Sequence, residues 1–249
     1  MQRCLAGSWL LDNTNETEKM KRTDRIDLGK SVRRIKEDLQ AQGTGRLACD
    51  IDDTIAKTSD AYHDLLSRQF PPPEALTKDS LRKHYALTGR ILHWGDIPEA
   101  NAFAYEFIDD PHFHAQMDPL DGAIAGTQEL WLQQRLACYL TVRSEAMRSE
   151  TECWFSRYDL PTLPLAMRDA AHSASNAQWK AAALEYLFPE VQGIIDNDAR
   201  IARLLEEQGY RGKVFLLGLN EHEYAPSNIV TPIEDWAELT RVILDMFPE

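Results

Sequence analysis

The chain predicts an α/β fold: a parallel sheet with helices on both faces and a mainly helical segment inserted after the first strand. Three observations lead there. Short apolar runs recur at residues 47–51, 137–140, 163–167, 191–195 and 214–217. Amphipathic stretches separate the later runs, and that alternation calls for right-handed crossovers between parallel strands. Residues 55–120 break the rhythm, with Pro71-Pro72-Pro73, many aromatics and no strand alternation.

Each element follows from its own pattern. Residues 12–27 are highly charged and read as loose or helical surface. Leu28, Val32, Ile35 and Leu39 recur at helical spacing, and Gly43 and Gly45 end that helix. Residues 47–51 form the first strand. After the insertion, Ile124, Leu130 and Trp131 mark the apolar side of a helix over residues 123–135. A strand at 137–140 leads to a helix with Ser144 as N-cap and Met147, Thr151, Trp154, Phe155 and Tyr158 inward. A short strand at 163–167, a helix at 178–187 and a strand at 191–195 follow. Ile201, Leu204 and Leu205 lie on a helix stopped by Gly209. After the strand at 214–217, Thr231-Pro232-Ile233-Glu234 combines a capping box with Pro at the first helical position. That predicts a last helix with Trp236, Leu239, Ile243 and Met246 inward.

At 249 residues the chain fits one large domain or a core with an insertion. The boundaries read as an extension over 1–45 with a docked helix, a core over 46–54 and 121–249, and the insertion over 55–120. A net charge of −13 argues against broad nucleic-acid or membrane binding, which needs basic patches. Cys4, Cys49, Cys138 and Cys153 show neither CxxC nor zinc spacing, and Cys49 and Cys138 fall in strand-like runs. Buried, reduced thiols suit a cytoplasmic protein. No run approaches the roughly 20 apolar residues of a membrane span, and Gly7, Ser8 and Asp12 interrupt any signal-peptide pattern.

The chemistry sits at the strand tips. Asp50-Ile51-Asp52-Asp53-Thr54 packs three carboxylates into four positions, which folding gains nothing from unless a cation or a reacting phosphate shares the site. Alternation in a strand lets Asp50 and Asp52 share a face. Thr141-Val142-Arg143 and Asp196-Asn197-Asp198 follow two other strands, and carboxyl ends of parallel strands share one edge. Lys180 opens a helix sixteen residues before Asp196. Phosphate-ester hydrolysis needs a nucleophile, a proton donor, charge neutralisation and a clamp on the phosphoryl oxygens. Asp50 can attack and Asp52 can move the proton. Thr141 and Lys180 can hold oxygens, and a magnesium ion between Asp50 and Asp196 can let carboxylates approach an anion.

These motifs resemble those of the haloacid dehalogenase-like (HAD) superfamily of phosphohydrolases. Asp50-Ile51-Asp52-Asp53-Thr54 matches its Asp-x-Asp-x-Thr motif. Tyr139-Leu140-Thr141, Lys180 and Ile194-Ile195-Asp196-Asn197-Asp198 are similar to the other three, in order. The resemblance implies a Rossmann-like core, an aspartyl-phosphate intermediate, magnesium, and a cap formed by the insertion. It implies Asp50, Asp52, Thr141 and Lys180 as catalytic residues, and Asp196 as direct metal ligand alongside Asp50 and Asp52. Asn197 departs from the paired acids of many members and leaves the part of Asp198 in metal binding open. An acid at Asp52 points to a phosphatase rather than a dehalogenase. The stretch Leu165-Ala166-Met167-Arg168-Asp169 is similar to the phosphatase domain of polynucleotide kinases, while the layout around the insertion resembles 5′-nucleotidase-like members.

The expectation is therefore a magnesium-dependent phosphomonoesterase acting on a small phosphorylated metabolite or nucleotide. The alternatives are a nucleic-acid 3′-phosphatase, a phosphotransferase, or a non-catalytic phospholigand-binding module of the same fold. Thr54, Arg143 and Arg168 are the candidate substrate contacts, although for Arg143 pairing with a surface acid is the readier role. His112 and His114 read as partly buried insertion surface rather than metal ligands. Trp94, Phe103, Tyr105 and Phe107 read as the insertion's own core rather than a stacking platform.

Overall fold

Leu47 and Cys49 point to one side of the first strand and Ala48 to the other, and each side is fully covered. A strand buried on both faces must sit in the middle of a layered sheet. A computed structural model, describing residues 26–41, 46–72, 76–89, 94–169 and 174–247, has this architecture. Its strands are β1 (Arg46–Cys49), β2 (Leu136–Ser144), β3 (Leu165–Arg168), β4 (Val191–Asp196), β5 (Lys213–Leu217) and β6 (Val230–Ile233). They pair in the order β3-β2-β1-β4-β5-β6, all parallel, which makes the fold a Rossmann-like α/β sheet. From β1 the chain builds outward through β2 and β3, then returns to the other side of β1 as β4. That reversal opens a crevice at the carboxyl ends of β1 and β4.

The helices are α1 (Gly29–Gln40), α2 (Thr58–Ser67), α3 (Lys78–Thr88), α4 (Pro98–Tyr105), α5 (Pro111–Ala115), α6 (Ala123–Leu132), α7 (Arg148–Arg157), α8 (Asn176–Leu187), α9 (Ala199–Gln208) and α10 (Trp236–Met246). Val32, Ile35 and Leu39 of α1 pack with α8 and α9 on the face of Ala48, Cys138 and Leu140. Helices α6, α7 and α10 cover the opposite face, against Leu47, Cys49 and Tyr139. Ser175 opens α8 with a reciprocal capping box, and Gly209 ends α9 in the left-handed region at φ +74°. Helices α2 to α5 lie between β1 and β2, and Leu66, Leu81, Trp94, Ala100 and Ala104 form a small core of their own. No helix among the described residues is long and apolar enough to cross a membrane.

Several elements differ from expectation. Thr231 and Pro232 do not start a helix; they lie in β6, in register with Phe215 and Leu216. The edge position explains the proline, whose missing N–H costs an edge strand nothing on its open side. The helix starts four residues later, where the Asp235 side chain accepts the Glu238 N–H at 2.9 Å. Ser144 caps a 3-10 turn (Glu145–Met147) ahead of α7. Trp131 and Met246 are exposed at 44% and 41%, because α6 and α10 already fill their side of the sheet with Leu130, Leu239 and Ile243. Tyr105 is exposed at 69%, outside the insertion core that holds Trp94. The readings of residues 12–25, of Gly43 and Gly45 and of Cys4 lie outside the described residues.

Candidate active site

The β1–β4 crevice collects an ion triad from three elements. Asp50 follows β1 directly, and its N–H donates to Ile195 O at 2.9 Å, which carries the strand pairing into the turn. Asp196 ends β4. Lys180 reaches them from the first turns of α8, with Nζ 2.7 Å from Asp50 Oδ1 and 2.8 Å from Asp196 Oδ2. All three side chains are 5% exposed or less. Both contacts are close ion pairs, and the one to Asp196 is also a hydrogen bond. Asp50 Oδ2 receives the Thr54 hydroxyl at 3.4 Å, and Asp196 Oδ1 receives the Asp198 N–H at 2.8 Å.

Two carboxylates share one ammonium here. Burial pushes the Asp50 carboxyl up; Lys180 pulls it down, and Asp196 and Asp52 push it further up, so that it ends raised. Asp196 is raised in the same way, by burial first. Burial alone would lower Lys180, but its two partners outweigh that and raise it. One ammonium thus does not hold both carboxylates fully ionised. Two buried carboxylates with one ammonium between them are a hard-oxygen donor pair that fits a divalent cation such as magnesium, which takes one or two protein carboxylates and completes its shell with water and phosphate. Among the described residues no three His, Cys, Asp or Glu side chains converge as a metal cluster.

Asp52 and Asp198, expected beside the metal, are each engaged by an arginine instead. Arg143 Nε lies 3.2 and 3.0 Å from the two Asp52 oxygens, and its Nη2 lies 2.8 Å from Oδ1. Thr58 Oγ1 donates to the same Oδ1 at 2.7 Å. Burial works to raise Asp52, but the charge and hydrogen bonds of Arg143, with His114 and Thr58, hold it well below the usual carboxylate range. Arg143 is therefore neither a surface ion pair nor an open substrate contact. Its position was legible: on β2 it shares a face with Thr141, two residues away. Asp198 caps α9, accepting the Arg200 N–H at 2.9 Å, and pairs with the Arg200 guanidinium at 2.6 Å.

The other expected residues divide. Thr141 is fully buried on β2, and its hydroxyl accepts the Arg143 N–H at 3.2 Å. Thr54 is fully buried too; it faces Asp50, and its carbonyl accepts the Trp236 indole N–H at 2.7 Å. That places Thr54 behind Asp50. Arg168 donates to Asn176 Oδ1, and both line a cavity of about 760 Å³ that also touches Asp52, Arg143 and the insertion helices.

Two residues were not anticipated. Asp53 accepts the Ser59 N–H at 2.7 Å near the start of α2, and burial pushes its carboxyl up to about 6 despite those hydrogen bonds. His114 is buried on α5, with Nε2 3.1 Å from Ile108 O and Nδ1 3.9 Å from Asp52 Oδ1. Two histidines separated by one residue carried no sign of which would turn inward; His112 is exposed.

No family model matches the chain, and no curated protein matches it. It is similar to the solved structure of a hydrolase from Pseudomonas syringae, with a TM-score of 0.46 and 14% identity over 82% of this chain and 99% of that one. A HAD-superfamily hydrolase from Ehrlichia chaffeensis gives a TM-score of 0.45 and 12% identity over 82% and 97%. A chain of the Pnkp1/Rnl/Hen1 complex gives 0.39 and 17% over 68% of this chain, which spans 44% of that chain's length. The solved structures it is similar to include HAD-superfamily hydrolases.

Proposed function

We propose that the protein is a phosphomonoesterase that works through an aspartyl-phosphate intermediate, with residues 55–120 acting as a cap. The observation that carries the reading is the Asp50–Lys180–Asp196 contact, in which side chains from β1, α8 and β4 meet at the sheet's carboxyl edge. A buried nucleophile next to an ammonium suits attack on an anionic phosphorus.

Asp50 attacks phosphorus, the ester P–O bond breaks, and the leaving oxygen takes a proton from Asp52, which must carry one for this step. Lys180 holds phosphoryl oxygen and pulls Asp50 toward its ionised form, against burial and the charges of Asp196 and Asp52. Asp52, ionised on Arg143, is in the form that takes a proton from water when the acyl phosphate is hydrolysed. Its use as proton donor in the first step requires the Arg143 contact to loosen once the ester is bound. Asp50 and Asp196 would hold magnesium, which when bound neutralises charge between the carboxylates and the phosphate.

A screen of phosphorylated metabolites and nucleotides with added magnesium tests this. Asp50→Asn is expected to lower turnover by about 10³-fold or more, with thermal stability kept or raised because one of two carboxylates on a single ammonium is gone. Substantial hydrolysis by that variant would remove Asp50 from the mechanism. Chelation should stop turnover and magnesium restore it; full activity in excess chelator would remove the ion. A 3′-phosphorylated oligonucleotide in the same screen separates the nucleic-acid 3′-phosphatase alternative.

A further inference from the structure

Arg200 stands where helix formation has no need of a cation. It is the second residue of α9, and the N-cap Asp198 needs only the Arg200 N–H, which donates to Oδ1 at 2.9 Å. A positive charge in the first turn opposes the helix dipole. The guanidinium nonetheless folds back over the cap, with Nε 2.8 Å from Asp198 Oδ1 and Nη2 2.6 Å from Oδ2. Such a two-pronged pair fixes orientation as well as charge.

Two neighbours give that arrangement a meaning. Toward the site, the Asp198 N–H donates to Asp196 Oδ1 at 2.8 Å, and the Asp198 charge pushes the Asp196 carboxyl up. Asp198 thus acts on the Asp50–Lys180–Asp196 group, and Arg200 is the cation paired with it among the described residues. Toward the insertion, the guanidinium lies against Gly89, the left-handed end of α3, where an added Cβ would overlap Nη1 and Cζ. The backbone of the insertion therefore packs directly on the side chain that neutralises Asp198.

We propose that Arg200 is a positioning residue for the cation site: packed against Gly89 of the seated insertion, it neutralises Asp198, which weakens the site's hold on a divalent cation and strengthens its hold on an anionic phosphate. This rests on the phosphomonoesterase reading above, in which Asp50 and Asp196 hold magnesium. Loss of the guanidinium bares a carboxylate two residues from Asp196, so cation and anion affinities move in opposite directions. Loosened packing would weaken both.

Calorimetric titration of the full chain tests this with two probes, magnesium alone and orthophosphate at saturating magnesium. Arg200→Gln should bind magnesium about three- to ten-fold more tightly, and orthophosphate more weakly by a similar factor, as one added negative charge at short range supplies. Arg200→Lys keeps the charge and should restore most of both affinities. Gly89→Ala, which displaces the guanidinium, should shift both in the direction of Arg200→Gln. Arg203→Gln removes a charge from the same helix, and a contact to Leu87 O of the insertion, without touching Asp198; it should leave both near the parent values. Both affinities falling in Arg200→Gln, or neither moving, overturns the inference. So does a failure of Arg200→Lys to restore them, no shift in Gly89→Ala, an equal shift in Arg203→Gln, or a parent that binds neither probe. Hydrolysis of phosphate esters reports separately on the phosphomonoesterase reading. Opposite shifts without turnover would sink that reading and leave the role of Arg200 standing; turnover with unmoved affinities would do the reverse.

Discussion

Arg143 and Asp52 show how strongly a single pairing can govern a site. The guanidinium is 2% exposed and grips both carboxylate oxygens, so neither group can lose the other cheaply. Arg143→Met is expected to cost about 3 kcal/mol in urea unfolding, because it strands a half-buried charge. Adding Asp52→Asn should recover most of that loss. A double variant as unstable as the single one would show that Arg143 acts through packing alone. Asp50, Lys180 and Asp196 were legible in the sequence because each stands at the tip or start of an element whose direction the apolar pattern dictates. The engagement of Asp52 by Arg143, and of Asp198 by Arg200, was not legible. A carboxylate at a strand tip has several cations within reach, and only the fold decides which one it meets.

At the scale of elements, capping and close packing make two further predictions. The side chain of Asp235, not Thr231, accepts a free N–H of the first turn of α10, that of Glu238. Asp235→Ala should therefore cost about 1 kcal/mol, while Thr231→Val on the edge strand should cost little. Thermal melts distinguish the two, and the reverse order would restore the capping box read from the sequence. Gly126 on α6 lies where an added Cβ would come 2.6 Å from the Trp236 ring and 2.9 Å from Thr240 Oγ1. Gly126→Ala should cost about 1–3 kcal/mol by forcing α6 and α10 apart, again read by thermal melt; an unchanged midpoint would mean the helices adjust freely. Strand and helix types were readable from apolar period. The start of α10 was not, because Thr-Pro-x-Glu has the same letters in a cap as in an edge strand, and pairing with β5 made the choice.

For the molecule as a whole, the insertion is seated on the core through α3 and α9. Arg203 Nη1 donates to Leu87 O at 3.2 Å, Lys83 pairs with Glu223 at 2.9 Å, and Gly89 packs under Arg200. Gly89 adopts φ +67°, and a Cβ there would meet Arg200 Nη1 at 1.9 Å. Gly89→Ala should cost about 1–2 kcal/mol in backbone strain alone and speed limited proteolysis within residues 55–120. Digestion at the parent rate would mean that this contact does not hold the insertion. Arg200 also holds Asp198, two residues beyond Asp196, so the seat of the insertion and the rim of the site share one side chain. By itself the sequence determined the parallel sheet, the inserted helices and the strand ends that carry Asp50 and Asp196, since apolar period and crossover handedness leave few other arrangements; β2 runs on to Ser144, past the end at residue 140 read from the sequence, so Thr141 lies within it. The tertiary structure alone decided which charges pair, that His114 turns inward, and that the insertion's carboxylates face the cavity. Those outcomes depend on distances of a few ångströms between segments far apart in the chain, which no local pattern encodes.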